Sequence, residues 1–404
     1  MGTVPCPLAS HTHKESQSHS NHPHSDSTSL SSQISLPSVP SLTPLSQHNQ
    51  KPSTTHHHCI STLKGHSSSV FSLTLAGKFL YSGSSDKEIR VWGHDNSSNN
   101  LVAVVNGAVK SLVVFGDKLH SAHQDHKIRV WQIETNHGKY KLLATLPTLS
   151  DRVMRFLPSK NHVQVRRHKK CTWVHHVDAV SALALSEDGS LLYSVSWDRT
   201  FKIWRTSDFK CMESVGNAHD DAINAVALSK DGYIYTGSAD KKIKVWRKLS
   251  GDKKHSLVAT LEKHRSAINA LALSTDGLVL YSGAYDRSIL VWEKDSNGGG
   301  GGHMVVVGAL RGHTKAILCL AVVSDLVCSG SADKTVRIWR RGAEKSYCCL
   351  AILEGHRGPV KCLTAAVDHR YKFTSLSGSS SSYHIYSGSL DCDIKVWQIL
   401  VPFL

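Results

Sequence analysis

The feature that most constrains this chain is an aspartate that occurs seven times, each time with tryptophan at the sixth position after it. The pairs are Asp86 and Trp92, Asp125 and Trp131, Asp198 and Trp204, Asp240 and Trp246, Asp286 and Trp292, Asp333 and Trp339, and Asp391 and Trp397. A spacing kept in every copy indicates either a repeated architecture or a repeated chemistry. The residues around each pair distinguish these two possibilities.

The sequence around each pair is typical of short β-strands. Stretches such as VFSLTL, FLYSG and EIRVW are strand-length, rich in β-branched and aromatic residues, and separated by Gly, Ser, Asn and Asp. The unit recurs about every 40 to 47 residues, a period typical of propeller blades. We therefore predict an all-β fold, a seven-bladed β-propeller over residues 59–404, and no doubly wound α/β sheet.

Residues 1–58 differ in composition, because they are rich in Ser, His and Pro and contain few aliphatic residues. Such a segment buries too little apolar surface to offset its ordering entropy, so we expect a disordered tail. Its histidines would permit weak binding of Zn or Ni. A metal site needs ligands held in a fixed geometry, however, so we expect a polar tail and no cofactor.

The composition of the 404 residues also excludes several protein classes. No apolar run reaches the roughly 18 residues that a transmembrane helix needs, and the N-terminus lacks the apolar stretch of a secretory signal. The 10 cysteines are scattered, which indicates reduced thiols and a cytoplasmic or nuclear protein. The formal net charge of +15 permits an anionic partner.

Each unit also contains a hydroxyl residue four positions before its Asp, and six units contain a histidine farther upstream. The hydroxyl residues are Ser82, Ser121, Ser194, Thr236, Ser282, Ser329 and Ser387, and the histidines are His66, His176, His219, His264, His313 and His356. Ser, His and Asp together resemble an acyl-transfer triad. An enzyme, however, needs one exposed nucleophile beside an oxyanion hole, so we expect no enzyme and a structural role for these residues.

In that structural role, linked hydrogen bonds would hold together three parts of each blade: the loop that leads into the first strand, the second strand, and the turn before the third strand. The second unit lacks the histidine and has VVNGAV in its place. We therefore expect blade 2 to be the least stable blade. His123 and His126, which flank the turn around Asp125, are possible substitutes.

The unit LRGHTKAILCLAVVSDLVCSGSADKTVRIW resembles the WD-repeat β-propeller family in its Gly-His start, its Ser-x-Asp turn and its terminal Trp. The resemblance covers residues 59–399, although no unit has the family's Asp after its Trp. The stretch at 146–183 resembles, more narrowly, plant WD-repeat proteins of the JINGUBANG type. That resemblance implies a regulatory propeller without enzymatic activity, acting on a transcription factor and in pollen germination.

The ring of blades needs one more strand than the seven units provide. The stretch CISTLKGH at 59–66 supplies a strand before the first unit. We predict that residues 59–63 pair with residues 393–398 and close the ring, which would remove an open sheet edge.

The leading loops and the turns before the third strands are expected on one face, here called the upper face. The residue directly before each Asp lies at the tip of its turn, and Trp197, Tyr285 and Leu390 are the large apolar tips. Aromatic residues at exposed tips are typical of interface anchors, so we predict a protein partner on this face. Packing of Trp197 beneath a neighbouring insertion is an equally supported alternative.

Charge on the leading loops is divided between blades. Asp178, Asp220 and Asp221 belong to blades 3 and 4, whereas Arg265, Lys315 and Arg357 belong to blades 5 to 7. This division favours an oriented protein partner over a uniform polyanion. We expect the propeller that binds this partner to be monomeric.

An insertion at 147–175 interrupts the loop between blades 2 and 3. Its basic residues are Arg152, Arg155, Lys160, Arg166, Arg167, Lys169 and Lys170, interleaved with Met154, Phe156 and Trp173. It is either a solvated loop folded over blade 2 or a partner site for an acidic peptide, a phosphopeptide or nucleic acid. We predict that the protein is a non-enzymatic interaction scaffold or regulatory adaptor. The alternative function is RNA or anionic-surface binding through this insertion. The insertion lacks the aromatic platforms of an RNA-binding sheet, which disfavours the alternative.

Overall fold

Seven antiparallel four-stranded sheets form a seven-bladed β-propeller, which confirms the predicted fold class. The computed structural model describes residues 39–43, 55–93, 99–134, 139–156, 162–166, 169–249, 251–295, 303–342, 345–368 and 380–402. The first strands of the blades contact one another in a ring, so they line the central channel. Within these ranges no helix is long and apolar enough to cross a membrane.

The strands are numbered along the chain, beginning with β1 (His56–Leu63), which belongs to the last blade. Blade 1 contains β2 (Val70–Ala76), β3 (Phe79–Ser84), β4 (Glu88–Trp92) and β5 (Asn99–Val104); blade 2 contains β6 (Val109–Phe115), β7 (Lys118–His123), β8 (Ile128–Glu134) and β9 (Lys139–Leu146). The insertion that follows contains α1 (Leu149–Phe156), β10 (His162–Arg166) and β11 (Lys169–Thr172). Blade 3 contains β12 (Val180–Leu185), β13 (Leu191–Ser196), β14 (Phe201–Arg205) and β15 (Cys211–Val215).

The remaining blades follow the same plan. Blade 4 contains β16 (Ile223–Leu228), β17 (Ile234–Ser238), β18 (Ile243–Arg247) and β19 (Ser256–Leu261). Blade 5 contains β20 (Ile268–Leu273), β21 (Val279–Ala284), β22 (Ile289–Lys294) and β23 (Met304–Leu310); blade 6 contains β24 (Ile317–Val323), β25 (Leu326–Ser331), β26 (Val336–Arg341) and β27 (Tyr347–Leu353). Blade 7 contains β28 (Val360–Val367), β29 (Ser380–Ser389), β30 (Ile394–Pro402) and the returning strand β1.

The hydrophobic core is divided into clusters that lie between neighbouring blades. The cluster between blades 5 and 6, for example, joins Val279 and Tyr281 to Ile317 and Trp339. The blades approach so closely that a Cβ added to Gly283 on β21 would lie 2.5 Å from Cγ2 of Ile317 on β24. Glycine is needed here because the neighbouring inner strand occupies the space of a side chain.

The ring closes where β1 pairs antiparallel with β30, with Cys59 opposite Trp397 and Leu63 opposite Ile394. The pairing begins at His56, opposite Leu400, and therefore three residues earlier than the sequence pattern indicates. The physical reason is that β30 continues to Pro402 and offers backbone partners to the start of β1.

Part of the predicted disordered tail is bound to the propeller. Residues 1–38 and 44–54 lie outside the described residues. Residues 39–43, in contrast, lie along the free edge of β23, where the N–H of Leu42 donates to the carbonyl of Ala309 at 2.9 Å. Within the predicted tail, this short segment is therefore paired with the propeller, since an open strand edge supplies partners for its backbone.

The helix α1 is an element that the sequence analysis did not predict. The hydroxyl of Thr148 accepts a hydrogen bond from the N–H of Asp151 at 3.2 Å, as an N-cap residue does. Thr148 followed three residues later by Asp151 is a recognisable helix-start pattern. Eight residues of helix are short, however, so periodicity gave little signal.

Two truncations test the role of β1 in closing the ring. Deletion of residues 1–64 removes β1, whereas deletion of residues 1–54 keeps it. We expect the longer deletion to lower the melting temperature by roughly 10 °C or more, because it removes the strand that closes the ring. Among the described residues, the shorter deletion removes the contacts of residues 39–43, and we expect it to cause a small shift. Equal melting of both proteins in circular dichroism would contradict this closure.

Candidate protein-interaction face

One hydrogen-bond network recurs beneath the upper face in six blades. In blade 4, His219 Nδ1 lies 2.8 Å from Asp240 Oδ2, and His219 Nε2 lies 2.8 Å from Thr236 Oγ1. The indole N–H of Trp246 donates to the same hydroxyl oxygen at 2.9 Å. Equivalent contacts join His66, Ser82, Asp86 and Trp92; His176, Ser194, Asp198 and Trp204; His264, Ser282, Asp286 and Trp292; His313, Ser329, Asp333 and Trp339; and His356, Ser387, Asp391 and Trp397.

The chemistry of this network is that of a buried hydrogen-bond node. Because the carboxylate accepts, the histidine Nδ1–H donates to it, and Nε2 then accepts from the hydroxyl. Burial lowers the pKa of His176 in spite of the adjacent Asp198, which favours the neutral ring. The Thr236 hydroxyl is completely buried and already accepts from Trp246, so a substrate carbonyl cannot reach it. The arrangement therefore stabilises the blade and does not present a nucleophile.

The aspartate joins the leading loop to the turn. Asp240 Oδ2 accepts from the backbone N–H of Asp220 at 3.1 Å, and Oδ1 accepts from that of Lys242 at 2.9 Å. Burial alone would raise the pKa of Asp240, but its interactions with His219 and these amides lower the pKa to about 2. Lys241, which lies between Asp240 and Lys242, has a φ angle of 72°. The Asp240 carboxylate stabilises this left-handed turn.

Blade 2 builds a different network around the same hydroxyl. His123 Nε2 lies 2.8 Å from Ser121 Oγ, and the Trp131 indole N–H donates to that oxygen at 2.9 Å. His123 Nδ1 lies 3.5 Å from the carbonyl oxygen of Gly107 in the leading loop. Burial lowers the pKa of His123 to about 3, so this ring is neutral. Of the two histidines that flank the turn, His123 thus replaces the missing residue.

The carboxylate of blade 2 has a partner that sequence analysis missed. Arg129 Nη2 lies 2.6 Å from Asp125 Oδ2, and Arg129 is buried. Burial raises the pKa of Asp125, but Arg129 outweighs it and the net shift is downward. Five other units also have Lys or Arg four residues after their Asp, so the sequence gives no signal that this one forms the pair.

The leading loops and turns meet on the upper face. The backbone N–H of each tip residue donates to the leading loop: Trp197 to Ala179 at 3.1 Å, and Tyr285 to Ala267 at 2.9 Å. The side chains of Trp197, Tyr285 and Leu390 are 41%, 66% and 37% exposed, respectively. The large apolar tips are therefore held on rigid turns and face solvent.

Trp197 lies at the mouth of the central channel. The ammonium group of Lys110, on the inner strand of blade 2, lies 5.3 Å from the Trp197 ring centroid and 4.2 Å from that of Phe71. Burial lowers the pKa of Lys110, and the positive charge of Lys361 lowers it further. Among the described residues no acidic side chain lines this cavity of about 510 Å³, so it is electropositive.

The charged loop residues lie at the positions that the sequence predicts. Asp220 and Asp221 on blade 4 are exposed, and Lys242 Nζ lies 3.9 Å from Asp220. Asp178 is half-buried, and its carboxylate accepts from the N–H of Ala179 at 2.7 Å. Three basic residues are exposed on blades 5 to 7, namely Arg265, Lys315 and Arg357. Their part in orienting a partner stays a prediction.

The insertion is attached to blade 3 at its helix. The carboxylate of Asp151 is buried and accepts from the N–H of Cys211 on β15 at 3.1 Å. Arg152 Nε donates to the carbonyl of Pro147 at 3.1 Å, and Trp173 packs on the core between blades 2 and 3. Lys160 and Arg167 lie outside the described residues, as do the side chains of Arg155, Arg166, Lys169, Lys170, Met154 and Phe156. Their role in partner binding stays a prediction.

One group of potential metal ligands occurs in the described residues, formed by His66, Asp86 and Glu88. Both ring nitrogens of His66 are already hydrogen-bonded, one to Asp86 and one to Ser82. Glu88 lies 2.7 Å from Arg90. These ligand atoms already have protein partners, so the group fits the internal network better than a cation.

A protein-family model described as "WD domain, G-beta repeat" matches six segments of the chain. They are residues 57–93, 168–205, 209–247, 255–293, 304–340 and 347–398. The strands of blade 2 at 109–146 lie between the first two segments, consistent with the altered hydrogen-bond network in that blade.

Parts of the chain are similar to curated relatives. The chain is 27% identical over 234 residues to "Apoptotic protease-activating factor 1" of Danio rerio, covering 57% of this chain and 16% of the relative. It is 32% identical over 114 residues to "Pre-mRNA-processing factor 19 homolog 2" of Arabidopsis thaliana, covering 28% and 20%. It is 24% identical over 235 residues to "Ribosome biogenesis protein WDR12 homolog" of Nematostella vectensis, covering 56% and 46%. The chain thus spans less than half the length of each of these relatives.

The first prediction for this face concerns Asp240→Asn. The carboxylate has a pKa of about 2 in the folded protein against about 3.9 when unfolded. Its stabilising contribution is therefore present above about pH 4 and is lost as the pH falls towards the folded pKa. We expect the variant to lose about 1–3 kcal/mol at neutral pH and to show a shallower loss of stability than the native protein between about pH 5 and pH 3. Urea unfolding with the exposed Asp252→Asn as control measures this; identical pH slopes would disprove the role of Asp240.

The second prediction concerns blade 2. In His123→Ala, the Ser121 hydroxyl loses its histidine partner, so we expect destabilisation of about 1–3 kcal/mol. Amide hydrogen exchange should accelerate in β6 and β7 and stay unchanged in β16 and β17. Gln124→Ala, at the exposed tip of the same turn, is the matched control. Unchanged exchange in blade 2 of His123→Ala would show that His123 does not replace the missing histidine.

Proposed function

The chain belongs to the WD-repeat family, whose model matches more than half of its residues, and we propose that it is a non-enzymatic scaffold that binds a protein partner on its upper face. Propellers of this family are generally protein-interaction scaffolds. The observation that carries the proposal is the exposed Trp197 beside Lys110 at the channel mouth.

The aromatic tips suit a contact with another protein. Trp197 and Tyr285 offer large apolar surfaces that gain free energy when a partner removes them from water. Their turns are fixed by backbone hydrogen bonds and by the carboxylates of Asp198 and Asp286, so little conformational entropy is lost on binding. Leu390, on blade 7, adds a third exposed apolar contact on the same face.

The charges suggest which group of the partner lies over the channel. Lys110 is held between Phe71 and Trp197, and Lys361 contributes a second positive charge to the same cavity. A carboxylate side chain of the partner would complement this cavity. The divided charges of the outer loops, Asp220 and Asp221 on one side and Arg357 on the other, would then favour one orientation.

The finer proposal is that the scaffold is a regulatory adaptor, monomeric and located in the cytoplasm or nucleus, that acts on a transcription factor. It is supported by the resemblance of residues 146–183 to plant JINGUBANG-type proteins, which also suggests a role in pollen germination. Free thiols at Cys59, Cys319, Cys328, Cys348, Cys349, Cys362 and Cys392 support a reducing compartment.

The competing proposal is binding of RNA or an anionic surface through the insertion at 147–175. Counterion release would then make affinity fall steeply with salt concentration. Contacts at Trp197 and Tyr285 are mainly apolar and should depend less on salt. The two proposals therefore differ in a measurable way.

Affinity purification with the full chain and with Trp197→Ala/Tyr285→Ala tests the proposed face. Leu278→Ala is the matched control, because Leu278 is 52% exposed and follows the turn between the first two strands of blade 5, on the opposite face. The proposal predicts that the aromatic variant loses a partner that the control retains. Loss in the control alone would place the interaction on the lower face.

Binding kinetics with that partner separate the contributions of the two features. The aromatic variant should lose about 2 kcal/mol or more, mainly through faster dissociation. Arg166→Ala/Arg167→Ala should mainly slow association, and less so at high salt, because loop charges act through long-range attraction. If neither variant changes binding while a lower-face substitution does, the proposed face is wrong.

A further inference from the structure

The outer edge of blade 5 carries a short segment from the N-terminal part of the chain. The N–H of Leu42 donates to the carbonyl of Ala309 at 2.9 Å, and the N–H of Ala309 donates to the carbonyl of Pro40 at 2.9 Å. Ser41 and Ala309 therefore form a parallel bridge. The segment extends the four-stranded sheet of blade 5 by strand addition, a recurrent way of binding peptides.

The same segment also contacts blade 6. The N–H of Tyr347, at the start of β27, donates to the carbonyl of Leu42 at 3.1 Å. The Leu42 side chain packs on the core cluster that joins blades 5 and 6. The groove between the two outer strands thus recognises the backbone of the segment and one leucine side chain.

A glycine in β23 makes room for that leucine. A Cβ added to Gly308 would lie 2.4 Å from Leu42 Cγ, too close for any side chain. At the same register, blades 2, 4 and 6 have Ala144, Ala259 and Ala351 in their outer strands. Blade 5 therefore has a notch where these outer strands have a methyl group.

The ends of the segment are held by two hydrogen bonds to Arg311 and by one apolar side chain. Arg311 Nη2 donates to the carbonyl of Val39 at 3.2 Å, and the Thr43 hydroxyl donates to the carbonyl of Arg311 at 3.5 Å. Pro40 and Ser41 are exposed. Val39 packs against the core cluster that joins blades 4 and 5. Recognition thus depends on an extended backbone, the apolar side chain of Val39, a proline with no N–H to satisfy, and leucine two positions later.

From this geometry we propose that the outer edge of blade 5 is a separate peptide-binding site for an extended Val-Pro-x-Leu segment of a partner protein, and that residues 39–43 occupy it until the partner segment displaces them. Because residues 39–43 belong to the same chain, they bind the edge at a high effective concentration. This gives them an advantage over a free peptide in spite of their small contact area. A partner held nearby by the upper face gains the same advantage. The blade 5 edge does not depend on the upper face, since Trp197 and Tyr285 take no part in it.

The test uses full-length proteins and a fluorescein-labelled peptide with the sequence of residues 36–46, LPSVPSLTPLS. Leu42→Asp in the protein should release the resident segment, so the added peptide should bind this variant at least tenfold more tightly than the native protein. Adding Gly308→Ala to Leu42→Asp should reverse the gain, because alanine fills the notch. A peptide with Leu42→Asp should not bind either protein. Fluorescence anisotropy measures the affinity of each protein for each peptide.

Equal binding to the native protein and to Leu42→Asp, or no effect of Gly308→Ala, would overturn the proposal. If Leu42→Asp does not fold, Gly308→Ala alone provides the test, because blades 2, 4 and 6 tolerate alanine at this register. Hydrogen exchange at the Leu42 and Tyr347 amides should then accelerate by at least tenfold, and unchanged exchange would also overturn the proposal. A dimer in light scattering that is lost in Leu42→Asp would show that a second copy supplies the segment, which would contradict the intramolecular assignment.

Discussion

The buried hydroxyl that receives the tryptophan indole N–H connects three parts of every blade. In blade 4, Thr236 on the second strand holds Trp246 on the third strand and His219 in the leading loop. His219 in turn holds the carboxylate of Asp240 in the turn. Each group is shielded from water, so a missing partner would leave a buried polar atom unsatisfied at a cost of about 1–3 kcal/mol. Strand register, loop path and turn conformation are consequently linked.

The same network fixes the turns of the upper face. The turn that exposes Trp197 is fixed from below by Asp198, whose carboxylate accepts from the backbone N–H of Thr200 at 2.9 Å. The turn is the same in a blade with a small tip residue, such as Ala239 in blade 4. Specificity can therefore change through the tip side chain alone, while the supporting hydrogen bonds stay constant.

Open sheet edges impose the second constraint on this fold, because an edge strand has unpaired backbone groups that seek a partner. Chain that precedes the first blade satisfies two of these edges. The strand His56–Leu63 completes blade 7, whereas residues 39–43 cover part of the edge of blade 5. The first contact closes the ring over a full strand, and the second is short enough to be exchanged. The closure of the ring and the proposed exchangeable contact thus use the same backbone chemistry at different lengths.

The sequence by itself determined the repeated blade, because Asp240 and Trp246 lie in one unit and their spacing sets the turn and the third strand. It also identified the tips Trp197 and Tyr285, whose exposure follows from their place in the turn. Only the tertiary structure decided that Lys110 lies beside Trp197 and that Leu42 enters the notch at Gly308. These contacts join residues of different blades or distant chain segments. They depend on how closely neighbouring strands approach, which local sequence patterns do not encode.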